Sequence, residues 1–416
     1  MTQTDYQRPP HGPVLPTDPA VPKACSFAGV RDVLKSKDLS SATHVTDWEL
    51  LGGTVMTVDG AEHTARRRLE SALFKPQTLK WYERTVLQPA IEATLQRTAE
   101  TARDEDGLVR SDLVRLGRLI MLSISAAVIG LDYVDGQDRR ERLGDCLDSL
   151  IEGTLVEWSE RDHGAIMADA LTWKKIYGDE FVAPALARRR ERHAADPTTA
   201  TAQPDLLSVL VADTAGGWDD ERILRECTLY LVASSLTTST AMTHTVGHLD
   251  AWLREHPADR ANLGDSEFLR AAAMESLRLH PGPHILLRRA TADLEVPAEG
   301  IAVHPGQVLG ADVREANRDT AAYGPTAAEF DPRRELDKEA PAPGFTFGGG
   351  RHLCIGRPLA LGNYGGRNED EMDGILVRML KGLYAAGVTP DADRPAAKAD
   401  SIHDRYERYP VVFTDL

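Results

Sequence analysis

The chain is expected to be mainly α with small β-sheets, and three features point there. Apolar residues recur at helical spacing over long stretches, whereas alternating, strand-like runs are few and short. Residues 227–249 contain no Asp, Glu, Lys or Arg, a length that suits one long helix. A composition of 42% hydrophobic and 27% charged residues over 416 positions is ordinary for a globular protein and can bury a large core.

Taken in order, residues 1–24 are expected to be an extended N-terminal segment, since residues 9–22 hold six prolines. Residues 25–416 are expected to form one domain, because the motifs described below begin at residue 63 and end near residue 356. The polar run 194–204 (AADPTTATAQP) reads as a flexible loop between helical segments. The uncharged stretch 227–249 is long enough to cross a bilayer. It nevertheless carries Ser234, Ser235, Thr237, Thr238, Ser239, Thr240, Thr243, Thr245 and two histidines. So many hydroxyls suit a helix buried beside a polar cavity, not lipid. A helix containing Phe268 and Arg278 is expected to stop at His280-Pro281-Gly282. Short strands are expected at 302–303 and 308–309, around His304-Pro305-Gly306, and at 410–413. The run 369–386 places Met372, Ile375, Leu376, Met379, Leu380, Leu383 and Tyr384 at helical spacing, with Gly374 and Gly382 inside it.

The bulk numbers exclude several classes. Four cysteines (Cys25, Cys146, Cys227, Cys354) form no CxxC pair and mark no secreted disulfide framework, which fits a reducing cytoplasm. No basic N-terminal segment precedes an apolar run, so neither a signal peptide nor a membrane anchor is expected. A net charge of −16 argues against nucleic acid as a partner, while leaving room for a local basic patch that docks an acidic electron donor.

The most informative stretch is Phe345-Thr-Phe347-Gly348-Gly-Gly-Arg-His352-Leu-Cys354-Ile-Gly356. Glycines let a backbone approach a flat object and leave amide donors aimed at one atom. A thiolate presented that way can hold a haem iron and favour O–O cleavage. The bland alternative is a buried free cysteine after a Gly-rich turn. The pattern resembles the haem-binding loop of the cytochrome P-450 family.

That resemblance implies the single-domain cytochrome P-450 fold, with haem b (iron protoporphyrin IX) between a long central helix and the cysteine loop. It assigns the iron ligand to Cys354 and the cofactor contacts to His63, Arg67, Arg288, Phe347, Gly348, His352 and Gly356. His63 and Arg67 are four apart and would share a helix face, though alone they could be a solvated basic surface. Arg289 is the alternative to Arg288. Glu275, Arg278 and Arg334 (or Arg333) look like the family's structural ion-pair network, followed by Ala316-Asn317-Arg318 and Phe330-Asp331-Pro332.

One departure concerns catalysis. The family's central helix carries an acid followed by a threonine, understood to deliver protons. Here no Asp or Glu lies between Glu226 and Asp250. Aligning Ala233-Ser234 with the family's Ala-Gly puts Thr237 at the threonine; a register one later puts Thr238 there. Both are candidate catalytic residues, against the alternative that these hydroxyls only bond back to helix carbonyls. Two further departures are a short segment before His63 and the glycines Gly362, Gly365 and Gly366 after the cysteine loop. The resemblance implies a cytoplasmic monooxygenase of secondary metabolism, acting on a small organic substrate with electrons from a separate ferredoxin and ferredoxin reductase. The missing acid leaves oxidative coupling, desaturation or peroxygenase chemistry open, and a non-catalytic haem-thiolate sensor is the alternative of another class.

Overall fold

A computed structural model describes residues 12–105, 107–132, 134, 136–198, 204–336, 339–362, 371–399 and 403–416. Helices dominate and the sheets are small. The central helix runs Asp220–Glu255, 36 residues and so about 54 Å long. Asp219 caps it, its carboxylate accepting the Arg222 amide at 2.8 Å. Across it lies the helix Leu113–Ile129, capped by Asp112 and ended by Gly130 in the left-handed region. Gly117 sits at the crossing, where an added Cβ would lie 3.0 Å from both Ser239 and Met242, so a side chain there would have to push these neighbours aside. Leu116, Ile120, Met121, Met242, Val246 and Leu249 of these two helices are buried in one hydrophobic core.

A four-stranded sheet stands at the other end of the chain's core. Its spatial order is Lys23–Ala24, Val308–Asp312, Ile285–Ala290 and Leu39–Ser41. Lys23 pairs with Gly310 in parallel, while Ile285 opposes Asp312 and Leu39 opposes Ala290 in antiparallel register. A second sheet clamps Pro410–Phe413 between Val109–Asp112 and Val388–Pro390. The expected strand at 302–303 is present as Ile301–Val303 but pairs with Leu294–Val296.

Three sequence expectations shift. The described part of the proline-rich segment is not extended throughout: the Asp18 and Val21 amides close turns onto Leu15 and Asp18, because Asp and the prolines favour turns as readily as extension. The helix expected over 369–386 spans only Gly374–Ala385. Gly374 begins it with φ +77°, packed backbone to backbone against Gly362 at φ +76°, whereas Gly382 lies inside and lets Ile91 come close. Gly365 and Gly366 lie outside the described residues, as does 199–203 of the polar loop; the helices Ala183–Ala195 and Leu206–Ala212 flank that loop as expected. No helix among the described residues is long and apolar enough to cross a membrane.

Candidate haem-thiolate site

The cysteine loop is shaped by its glycines. Gly348 (φ +69°) and Gly350 (φ +60°) occupy the left-handed region, and a Cβ on Gly350 would lie 2.1 Å from the Leu34 carbonyl. The Gly348 amide donates to Phe345 O at 2.7 Å and the Cys354 amide to Phe347 O at 2.9 Å, folding the loop back on itself. Cys354 is exposed at its centre. Surrounding protein raises its pKa, but the amides of Gly356 and Arg357 donate towards the sulfur and the charges of Arg67 and Arg357 also favour thiolate. Phe347, Gly348–Gly350 and Leu353 line a cavity of about 140 Å³, rimmed by Arg31, Lys35 and Arg357.

Buried scaffold holds this loop in place. Arg278 is wholly buried and reaches Glu275 through two hydrogen bonds of 2.6 and 2.8 Å. It also donates to Asn317 O and Ala327 O, each at 2.6 Å. Arg334 adds a 2.9 Å bond to Glu275 and is the third member; Arg333 turns away to Asp259. Asn317 then links network to loop, donating to Arg278 O at 2.9 Å and accepting the Phe345 amide at 2.7 Å. Its sequence signal was only its place beside Arg318.

Cationic groups from three elements gather beside the loop. The rings of His63, on the helix Gly60–Glu70, and His352 lie 4.3 Å apart. His352 Nε2 is 2.7 Å from Asp59 Oδ1, and Asp59 Oδ2 accepts the Ser41 amide at 2.9 Å. Arg288, on Ile285–Ala290, is buried, with Asp59 the charge that favours its cation. Arg289 instead donates to Gly306 O. Burial, then the neighbouring His352, Arg67 and Arg351, pull His63 down to about 4. One acid, Asp59, against His63, His352, Arg67, Arg288 and Arg351 leaves an excess of donors, which suits two carboxylates. A single soft sulfur ligand, a glycine-lined approach and this donor excess together fit haem. Asp59 was not singled out in the sequence; it sits four residues before His63.

The central helix contributes an open face. Between Arg222 and Asp250, all described, only Ala233 and Thr237 are exposed. They are four apart and therefore share one face. The Thr237 hydroxyl donates to Ala233 O at 2.8 Å, and its methyl packs where a Cβ on Gly282 would lie 3.3 Å away. Thr238 is buried, on another side of the helix. Ser239, Thr243 and Thr245 bond back to carbonyls four residues earlier, so part of the hydroxyl run is satisfied core. Ser234 lies 2.6 Å from Ser125 of the neighbouring helix. Elsewhere His244, His280 and Asp404 bring possible metal-ligating atoms together. Their two rings stack at 3.9 Å and 14°, so the in-plane lone pairs run parallel instead of converging, and Lys398 already pairs with Asp404.

Comparison with known proteins agrees with this geometry. The cytochrome P-450 family pattern matches residues 253–364, which include the ion-pair network and the cysteine loop. Erythromycin C-12 hydroxylase of Saccharopolyspora erythraea is 29% identical over 311 residues, covering 74% of this chain and 69% of that protein. Cyclooctat-9-en-7-ol 5-monooxygenase of Streptomyces melanosporofaciens is 24% identical over 363 residues, covering 81% and 76%. The structure of a mutant of the cytochrome P-450 EryK with erythromycin B superposes with a TM-score of 0.69 at 24% identity, over 94% of this chain and 90% of that one. The family match over residues 253–364, the relatives and the shared fold together support a bacterial-type cytochrome P-450, an oxidoreductase of monooxygenase type.

Proposed function

We propose that the protein is a cytoplasmic haem-thiolate monooxygenase that oxidises a small organic molecule of secondary metabolism. The observation that carries this is the exposed Cys354 sulfur, receiving two backbone amides on a loop that buried scaffold immobilises. Residues 25–416 form the haem unit, with haem b the cofactor and Cys354 its ligand. Bound there, haem supplies electron transfer and oxygen chemistry, tuned by the thiolate.

The chain's own residues do the rest. His63, Arg67, Arg288 and His352 bind the cofactor's carboxylates, with Asp59 orienting His352. Phe347, Gly348 and Gly356 keep the loop thin and its amides directed at sulfur. Thr237 commits its proton to Ala233 O, which leaves its oxygen, on the exposed helix face, to accept from and orient water. Thr237, not the buried Thr238, is the threonine of the reaction. Arg31, Lys35 and Arg357 offer cations to an acidic ferredoxin, which a ferredoxin reductase supplies with electrons. The free cysteines accord with the cytoplasm.

A second outcome, peroxide-driven oxidation, is favoured by one observation: the central helix lacks its acid. Replacing Cys354 by Ala tests the main reading. The reduced carbon monoxide complex should lose its red-shifted, thiolate-dependent band, and an unchanged band would remove Cys354 as ligand. Full turnover on hydrogen peroxide without ferredoxin would select the second outcome.

A further inference from the structure

The helix that bears His63 and Arg67 carries a third residue on the same face. Glu70 follows His63 by seven positions and Arg67 by three. Its carboxyl is wholly buried. Oε2 accepts the Tyr230 hydroxyl at 2.8 Å, while Oε1 has no hydrogen-bond partner among the described residues. A structural carboxylate would be expected to satisfy both oxygens. The neighbouring buried acid does so: Glu226 binds Arg66 at 2.8 Å and the Val55 amide at 3.0 Å.

Tyr230 belongs to the central helix, three residues before Ala233 and seven before Thr237. That spacing puts it on the face that opens at Ala233 and Thr237. Glu70 thus brings a carboxyl from another helix to the end of the one open stripe on an acid-free stretch. The charged and titratable groups facing it are Arg66 and Arg67 on its own helix, and Glu226 and Tyr230 on the central one. Burial first, then the Glu226 charge, hold the Glu70 carboxyl well above the usual carboxylate range.

We propose that Glu70 and Tyr230 are a proton-carrying pair that takes the place of the missing central-helix acid. This rests on the monooxygenase reading above. Tyr230, whose hydroxyl donates to Glu70 Oε2 at rest, turns that proton to a water at the exposed helix face beside Ala233 and takes the Glu70 acid proton onto its oxygen in exchange. The carboxylate left behind faces Arg66 and Arg67, and one proton from solvent water restores the acid by the reverse route. One proton leaves, one returns, and no electron moves.

Glu70→Gln keeps the size and the acceptor for Tyr230 but carries no exchangeable acid proton; Tyr230→Phe removes the relay and leaves the acid. In the full-length protein at pH 7, infrared difference spectra between the parent protein and Glu70→Gln should show a protonated carboxyl band. In the haem-loaded enzyme, product formed per electron pair should fall about tenfold or more in both variants. Its pH profile should flatten, and Glu70→Asp should restore part of the coupling. Absence of the band, or parental coupling and pH profile in either folded variant, overturns the proposal. Both variants should retain the thiolate carbon monoxide spectrum. Its absence from the parent protein would sink the Cys354 reading instead, a result distinct from lost coupling alone.

Discussion

Thr237 and Thr238 are adjacent and chemically identical, yet one helical step of about 100° sends the first to the open face and the second into the core. Thr237→Ala should therefore raise the share of electrons lost to reduced oxygen species several-fold, measured as product per electron pair. Thr238→Ala should leave that share unchanged and affect stability only. The cationic cluster makes a second residue-scale prediction. A charge-assisted hydrogen bond to a carboxylate contributes about 2 kcal/mol. Arg67→Ala should accordingly weaken haem retention by about thirtyfold, read from haem transfer to an acceptor protein. Equal retention would show that Arg67 is a surface charge.

At the scale of elements, the cysteine loop depends on ion pairs that never touch it directly. Glu275→Gln leaves the wholly buried Arg278 without its compensating carboxylate, a loss of about 3–5 kcal/mol. Urea unfolding should show that loss, and the loop should release haem sooner because Asn317 ties it to Arg278 O. Gly350→Ala combines a left-handed backbone with a collision on the Leu34 carbonyl. It should destabilise more than Arg351→Ala, which removes an exposed side chain that donates to Lys37 O.

For the whole molecule, histidines set the acid limit. Burial lowers His244 and His248 to about 3, and His284 and His403 to about 4, from an ordinary 6.5. The folded state holds them neutral, while the unfolded chain binds protons below pH 6.5. The stability they contribute is complete above 6.5 and drains away as pH falls towards 4. Denaturation midpoints at pH 7.5, 6 and 5 should fall in that order, and His248→Gln should flatten the decline.

The sequence by itself determined the glycine-rich cysteine loop, the mainly helical character and the absence of an acid between Glu226 and Asp250. Each rests on local information: glycine spacing, apolar periodicity, or a residue type that is simply not there. It also placed the Glu275–Arg278 pair, since residues three apart on a helix must be neighbours. Tertiary structure alone decided which threonine lies on the exposed helix face, that Arg334 and not Arg333 completes the ion pairs, and that Asp59 pairs with His352. It alone brought Glu70 to Tyr230, 160 positions away. Those outcomes depend on how helices rotate about their axes when they pack, a choice made by the sum of many buried contacts that no short window of sequence contains.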